Sequence, residues 1–346
     1  MSSDLPNPEF TVVQTHEPHR ARRARILREQ PELRRLFGHD ARTAAVTVAV
    51  VVAHLAIAVA LQFATAGQSV SARLLWAAGA ALAVGAILSH WLAMSIHEAT
   101  HNLAARTVDQ NVALSFFANV PMVLPVAMSF RRYHLAHHAR LGTLGEDTDL
   151  PHALEVRFIG NSAPRKLLWW TFYALVYLGR SATFAKRPNR LELLNLAFMV
   201  AVDAALLAAV GPTALAYLAL STVFAHGLHP VAAHFLHEHY VFSPGQETYS
   251  YYGPLNHVTF NVGYHNEHHD LPNVAGWRLP ELRALALPHY APLASHTSWT
   301  AVLWRFVTDP SLGFGSRLVR AAPGRSEAIR ASPPAGTPSA SRPAAA

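Results

Sequence analysis

Four long apolar runs constrain the fold of this 346-residue chain more than any other feature of its sequence. A helix needs roughly 20 mostly apolar residues to cross a bilayer core of about 30 Å. Only 14% of the residues are charged, whereas soluble domains carry about 25%. We therefore predict an all-α integral membrane fold with four transmembrane helices, at about 43–65, 74–95, 191–210 and 213–228.

The connections between the runs predict two transmembrane hairpins. Residues 67–71 join the first pair, and residues 211–212, Gly-Pro, join the second. Arginine is abundant before the first run and after the second, so the positive-inside rule places both flanks in the cytoplasm. Two further apolar stretches, 112–129 and 167–179, are short for spans, and prolines interrupt the first. We predict that both are interfacial or re-entrant.

Composition divides the chain into three parts. Residues 1–41 are polar and basic, and we predict an N-terminal cytoplasmic segment with a short surface helix at 31–36. Residues 42–320 form the membrane domain. Residues 321–346 are rich in Pro, Ala and Ser, which predicts a disordered tail. The net charge of +7 comes from arginines beside the apolar runs, so we expect a membrane and no nucleic acid as partner.

Three histidine clusters carry the chemistry of the sequence. Within each cluster, imidazoles three or four residues apart would share one face of a helix. Imidazole is the commonest metal ligand, and eight such ligands exceed what one ion can use, which predicts two ions. The clusters are His97-Glu98-Ala99-Thr100-His101, His134-Leu135-Ala136-His137-His138 and His265-Asn266-Glu267-His268-His269.

The positions of the clusters predict that they converge. The second run leads almost directly into His97, so a continuing helix would hold His97 and His101 just beyond the membrane surface. The hairpin at 191–228 then returns the chain to the side on which the second cluster lies. We therefore expect all three clusters in a cytoplasmic helical cap that holds the metal site.

Two other functions fit parts of this pattern. The first cluster matches H-E-x-x-H, in which two histidines bind zinc and the glutamate is the general base of a protease. That site needs one zinc and one further ligand, and it leaves six clustered histidines without a role. A metal transporter is the other alternative, although transporters place their ligands at mid-membrane depth. The chain has no cysteine, which excludes thiolate zinc sites and cysteine-ligated iron–sulfur clusters.

The clusters, their order and the two hairpins resemble the membrane fatty acid desaturase and hydroxylase superfamily. Longer motifs narrow the resemblance to the sphingolipid Δ4-desaturases, and they extend over nearly the whole chain except the tail. These motifs are Thr15-His16-Glu17-Pro18-His19, Phe130-Arg131-Arg132-Tyr133-His134, Gly145-Glu146-Asp147-Thr148-Asp149, His234-Phe235-Leu236-His237-Glu238-His239-Tyr240, Glu247-Thr248-Tyr249-Ser250-Tyr251-Tyr252-Gly253-Pro254-Leu255-Asn256 and Phe260-Asn261-Val262-Gly263-Tyr264-His265-Asn266-Glu267-His268-His269-Asp270.

The resemblance implies a di-iron centre that uses O2 as co-substrate. It implies a ninth ligand after the last span, for which His234 is our first choice and His229 and His239 are alternatives. Asn261, Asn266 and Asp270 are predicted to orient the ligand rings through hydrogen bonds. By resemblance, the ligands of the two iron ions are His97, His101, His134, His137, His138, His234, His265, His268 and His269.

The implied activity is the introduction of a trans double bond at C4 of a sphingoid base, which converts dihydroceramide to ceramide. A fatty acyl desaturase and a sphingolipid C4-hydroxylase are alternatives, because the same ligand set supports all three. The acyl chain is expected between the spans and the cap. Aromatic residues that could line its groove are Trp91, Phe116, Phe117, Trp169, Trp170 and Tyr264.

The resemblance also requires a separate electron donor. The chain lacks the His-Pro-Gly-Gly signature of a fused b-type cytochrome. A separate b-type cytochrome, or a ferredoxin with its reductase, must therefore supply two electrons. The Arg- and Ala-rich composition favours a bacterial inner membrane, or the endoplasmic reticulum if the source is eukaryotic, with the site on the cytoplasmic side.

Overall fold

The protein is described by a computed structural model that covers residues 10–183 and 187–321. It is mostly helical, and its described part contains four helices that are long and apolar enough to cross a membrane. This confirms the predicted fold class. The spans are Ala41–Ala64, Val70–Thr100, Arg190–Ala209 and Pro212–His237.

Local sequence signals set the ends of the spans. Asp40 caps the first span, because its carboxylate accepts a hydrogen bond from the backbone N–H of Arg42. Asn189 begins the third span with a capping box. Gly211 has a φ of 128°, which side-chain-bearing residues rarely adopt, and Pro212 starts the fourth span. The second hairpin therefore turns where the sequence predicts.

The second and fourth spans approach each other closely. The second span runs from the helix Val70–Ala80 through a π-helical turn, Ala81–Gly85, into the helix Ala86–Thr100. A Cβ atom at Gly85 would clash with Oγ of Ser221 on the fourth span, so a larger residue does not fit. This contact fixes the second span, which ends in the first histidine cluster, against the fourth.

The first stretch predicted to be re-entrant contains two helices at a sharp angle. A bend of 119° separates Val108–Met122 from Ala127–Arg140. The side chain of Asn119 holds the bend, because its Nδ2 donates to the carbonyl of Leu124 at 2.7 Å and its Oδ1 accepts from the N–H of Ala127. The helix after the bend carries the second histidine cluster to the same end of the spans as the first.

The second such stretch forms the helices Ala163–Thr171 and Tyr173–Thr183. Leu167, Leu168 and Phe172 are each about half exposed. An apolar face of this kind beside the spans agrees with a position at the membrane interface.

The cap consists of short helices and two pairs of parallel strands. Thr11–Val12 pairs with Leu318–Val319, and Ser250–Tyr251 pairs with Ser295–His296. Short helices also continue the fourth span beyond its break at residues 226–229. The short helical segments of the cap and of this continuation are Pro18–Glu29, Pro31–Leu36, Ala153–Ile159, Pro230–Ala233, His234–His237, Pro254–Val258, His265–Asp270, Gly276–Arg278, Leu279–Leu285, Leu287–Tyr290 and Trp299–Thr308.

The N-terminal segment packs into the cap more closely than a surface helix would. Ile26 and Leu33 are fully buried, in one cluster with Val274 and Leu282. The boundary predicted at residue 41 therefore marks the start of the first span, while the preceding residues complete the cap. The tail predicted to be disordered lies, from residue 322 onward, outside the described residues.

Candidate metal centre

Three separate elements bring the histidine clusters to one place. His97 lies in the last turn of the second span, and His101 follows directly after it. The second cluster lies on the helix Ala127–Arg140, and the third on the short helix His265–Asp270. The convergence expected from the sequence is therefore present in the structure.

Five histidines form a first group, in which the candidate ligand nitrogens all lie within 4.8 Å of one another. Nε2 of His134 lies 2.9 Å from Nε2 of His101 and 3.0 Å from Nε2 of His138. Nε2 of His268 lies 3.1 Å from Nε2 of His138. His97 completes the group, and its ring centroid lies 4.5 Å from that of His268.

A second group contains His137, His239 and His269. Nε2 of His239 lies 3.0 Å from Nε2 of His137 and 2.9 Å from Nε2 of His265, so His265 borders this group. The buried Nε2 of His269 has no hydrogen-bond partner among the described residues, which suits an atom that faces an ion. The two groups adjoin, since the rings of His138 and His269 stack with centroids 4.1 Å apart.

His239, rather than His234, joins the predicted cluster histidines. Nε2 of His234 lies 2.6 Å from Oε1 of Glu238, and its ring packs against His90 with centroids 5.2 Å apart. His229 also belongs to neither group. The short helix that carries His234 ends before His239. The chain therefore turns between them, and it is residue 239 that reaches the second and third clusters.

These separations fit shared metal ions. Two metal–nitrogen bonds of about 2.1 Å at a right angle place the nitrogens about 3 Å apart, as in both groups. Burial also favours neutral imidazoles: it lowers the pKa of His101 to about 3. Burial, aided by neighbouring histidines, holds the pKa of His138 and of His269 well below the usual value. Neutral imidazoles keep a lone pair for a metal, so these three histidines suit metal binding, and two groups suit two ions.

Two carboxylates contact histidines in or beside the second group. Nδ1 of His137 bonds to Oδ1 of Asp147 at 2.8 Å, and Nδ1 of His265 lies 2.9 Å from Oε1 of Glu238. A partner at Nδ1 fixes the ring and leaves Nε2 for a metal. Both carboxylates lie within the family motifs, but the sequence alone did not predict a role for them. The sequence signal that could have predicted this role is the presence of acidic residues beside the histidine motifs.

The residues predicted to orient the rings bond to neighbouring segments instead. Nδ2 of Asn261 donates to the carbonyl of Gly276 at 2.9 Å, and Nδ2 of Asn266 donates to the carbonyl of Thr248 at 3.2 Å. These hydrogen bonds stabilise the loops around the third cluster. Asp270 binds the N-terminal helix, as described next.

The N-terminal helix Pro18–Glu29 is clamped onto the third cluster. Nε of Arg22 donates to Oδ2 of Asp270 at 2.5 Å, and Nδ1 of His19 lies 2.8 Å from Oδ1 of the same carboxylate. Asp270 is fully buried. The ring of His19 lies 4.9 Å from that of His269, so this helix covers the second group. His19 lies within a family motif, but the sequence alone did not predict this contact.

Two adjoining cavities lead to the histidine groups. The outer cavity is mostly apolar. It lies between the second span, the fourth span and the two helices on either side of the 119° bend. The inner one contains His97, His134, His137, His239 and His265 in its walls. None of the six aromatic residues expected from the sequence lines either cavity. Three of them, Trp91, Phe116 and Phe117, pack instead against an apolar cluster that includes Val50 and Leu92. Both cavities share the walls formed by Met94, Phe130, Tyr133, Tyr177 and Phe235.

Comparison with known proteins identifies the family. The fatty acid desaturase family matches residues 73–301, and the sphingolipid Δ4-desaturase family matches residues 6–42. The sphingolipid Δ4-desaturase DES1 of Drosophila melanogaster is 42% identical, over 92% of this chain and 98% of that protein. The DES1-like protein of Oryza sativa subsp. japonica is 41% identical over 91% and 94% of the two chains. The human Δ4-desaturase/C4-monooxygenase DES2 is 41% identical over 92% and 97%.

The chain belongs to the sphingolipid Δ4-desaturase family. This confirms the resemblance drawn from the motifs and makes the protein a membrane desaturase, an oxidoreductase. The histidine groups agree with the metal site of such a desaturase. The protease and transporter alternatives are therefore wrong. Glu98 illustrates why: its Oε2 accepts a hydrogen bond from the backbone N–H of Gly276 at 2.9 Å, so it anchors a cap loop.

Proposed function

We propose that this protein is an oxygen-dependent di-iron desaturase that introduces a trans double bond at C4 of a sphingoid base, converting dihydroceramide to ceramide. One observation carries the proposal. Two adjoining histidine groups lie at the inner end of an apolar cavity, in a chain 41–42% identical to sphingolipid Δ4-desaturases.

The proposed iron ligands are nine histidines. Eight belong to the three sequence clusters, and His239 takes the place that the sequence analysis gave to His234. His97, His101, His134, His138 and His268 would hold one iron, and His137, His239, His265 and His269 would hold the other.

The chain's own residues would prepare the site for this chemistry. Two bound iron ions would supply the oxidising power that an unactivated C–H bond requires and that polar side chains lack. Asp147 keeps His137 from rotating, because it holds Nδ1 of the ring and leaves Nε2 toward the group. Glu238 lies within ion-pair distance of Nδ1 of His265. The apolar walls around Phe130 would exclude water from the reacting carbons.

The outer cavity suits a hydrocarbon chain. Ala93, Met94, Ile96, Met122 and Leu124 are among its apolar walls. A chain threaded through it toward the inner cavity would bring one pair of methylene groups beside the histidines. Position along the chain, and therefore the site of the double bond, would be set by how the polar end of the lipid is held.

Hydroxylation at C4 is the second candidate reaction. The human relative carries C4-monooxygenase in its name beside Δ4-desaturase. The same cavity and the same nine histidines would serve both reactions, because both begin at the same carbon.

The electrons would come from a separate protein. Forming one double bond releases two electrons, whereas reduction of O2 to water consumes four, so a donor must provide the other two. The chain has neither cysteine nor a His-Pro-Gly-Gly motif. A b-type cytochrome, or a ferredoxin with its reductase, would fill this role on the cytoplasmic side. The bacterial inner membrane, or the endoplasmic reticulum in a eukaryote, stays our prediction for the compartment.

Lipid mass spectrometry on cells supplied with dihydroceramide tests the proposal. We expect the wild type to yield a product lighter by two hydrogens, which H268A does not yield. H257A is a matched control, because His257 is exposed and lies in neither group. A product heavier by one oxygen would mean hydroxylation. A new double bond in a fatty acyl chain, with sphingolipids unchanged, would refute the proposed substrate.

A further inference from the structure

We infer that Glu238, Asp149 and His234 form an acceptor-lined pocket for the polar end of an N-acyl amino-diol lipid, with Glu238 binding the hydroxyl group next to the reacting carbons. This inference rests on the proposed function and identifies the residues that select the substrate. All three side chains line the inner cavity beside the histidine groups.

Glu238 and Asp149 are more exposed than the other carboxylates near the metal centre. The side chains of Asp147 and Asp270 are fully sealed, and each is bound to a histidine. In contrast, the side chain of Glu238 is 15% exposed and that of Asp149 is 29% exposed. Because both line the inner cavity, they are available to a bound molecule.

His234 supplies an independent observation. Its side chain is almost fully buried, and its Nε2 lies 2.6 Å from Oε1 of Glu238. A neutral imidazole carries a lone pair on one of its two ring nitrogens. Neither ring nitrogen of His234 has a hydrogen-bond partner among the described residues, although the side chain is buried in the cavity wall. A buried acceptor without a partner is expected where a ligand donates.

The substrate offers the complementary groups. A dihydroceramide carries two hydroxyl groups and one amide N–H on the three carbons that precede C4. When C4 lies beside the histidines, these three donors must enter the inner cavity too. Buried donors without acceptors are costly, and carboxylates are acceptor-only groups. Three acceptors in the wall therefore match three donors on the lipid.

The same walls disfavour a plain fatty acyl chain. An acyl chain that reacts near its middle presents only methylene groups to the inner cavity. Glu238 and Asp149 would then lose water without gaining a partner, which penalises that substrate. The cavity thus favours a lipid with polar substituents next to the reacting carbons.

The position of Glu238 indicates which hydroxyl group of the substrate it binds. Its Oε1 lies 2.9 Å from Nδ1 of His265, a proposed iron ligand. The C3 hydroxyl is attached to the carbon bonded to C4, so it is the polar group that stays closest to the histidines. Asp149 also bonds to Arg317 at 2.8 Å, which holds its carboxylate in place for the more distant C1 hydroxyl.

A competition assay tests these assignments. Dihydroceramide is mixed with equal amounts of its analogue without the C3 hydroxyl or the C1 hydroxyl, and products are counted by mass spectrometry. The product ratio reports relative kcat/KM, so a partial loss of iron cancels. We expect the wild type to prefer dihydroceramide by about 10- to 100-fold over either analogue. E238Q should reduce the C3 preference about five-fold or more, and D149N the C1 preference.

E146Q is the matched control, because Glu146 is an exposed carboxylate of the loop that carries Asp149 and pairs with Arg140 at the surface. Its preferences should equal those of the wild type. If E238Q makes no product, equilibrium binding of radiolabelled dihydroceramide to zinc-loaded protein decides, and we expect weaker binding by E238Q.

These experiments distinguish failure of the proposed function from failure of the pocket assignment. A wild type that converts no dihydroceramide would refute the proposed function. Conversion of dihydroceramide with unchanged preferences in both E238Q and D149N would leave that function intact and overturn the pocket assignment.

Discussion

The substitution Arg22→Met should release the N-terminal helix from the metal centre. Arg22 donates to Asp270 at 2.5 Å, and the side chains are 14% and 0% exposed. Methionine retains an apolar stem of similar length but removes the charge. The carboxylate of Asp270 then stays buried with His19 as its remaining side-chain partner. Removing one member of a buried ion pair costs about 3–5 kcal/mol.

This cost should fall on local opening rather than on the whole fold. The helix Pro18–Glu29 has only Ile26 and His19 as buried side chains, so it depends strongly on the clamp. A loss of about 3–5 kcal/mol raises the equilibrium constant for local opening by about 150- to 4,000-fold. The spans, which do not contact this ion pair, should keep their stability.

Hydrogen–deuterium exchange followed by mass spectrometry measures this opening. In R22M, we expect amides of residues 18–29 to exchange at least about 100-fold faster than in the wild type. Iron should also pass faster to a chelator, because His19 covers the ring of His269. R25Q is the control, since Arg25 is exposed on the same helix and makes no ion pair within the described residues.

The double variant R22M/D270N sharpens the test. Replacing both charges leaves no buried carboxylate without its partner, so most of the lost protection should return. Normal protection in R22M, an equal loss in R25Q, or a double variant that exchanges faster than R22M would contradict this role of the ion pair.

Three further predictions follow from the structure. D147A should lower iron affinity about 10- to 100-fold, measured as iron retained after dialysis, because His137 loses its Nδ1 partner; unchanged retention would contradict this. E98Q should keep most of its desaturation, since the amide oxygen still accepts the backbone hydrogen bond, and an inert variant would contradict us. Burial and then Arg305 lower the pKa of His296 to about 4 from 6.5, so the folded state binds fewer protons than the unfolded state. Stability should thus be full above pH 6.5 and fall by up to about 3 kcal/mol as the pH drops to 4. H296N should weaken this loss in thermal melts, whereas H257N should not.

The sequence by itself determined the class of the fold and eight of the nine proposed ligands. Both depend on local patterns. The length of an apolar run sets whether a helix can span a bilayer, and the spacing of histidines sets which of them share a helix face. The family motifs added the chemistry, because they carry those histidines in a recognisable order.

Tertiary structure decided what depends on where the chain turns and on contacts between distant segments. The choice of His239 over His234 depends on a break after a short helix, which spacing does not reveal. The aromatic residues expected around the substrate do not line either cavity, because composition does not tell which face of an interfacial helix points inward.

Contacts around the metal centre show most clearly what local sequence patterns cannot predict. His19 and Asp270 are 251 residues apart in the chain, yet their side chains lie 2.8 Å apart. Glu98 and Gly276, 178 residues apart, form another such contact. Local sequence signals act over a few residues, whereas packing brings these segments together only once the spans and the cap have assembled. The sequence therefore specifies most of the proposed ligands, and the fold specifies which distant segments contact them.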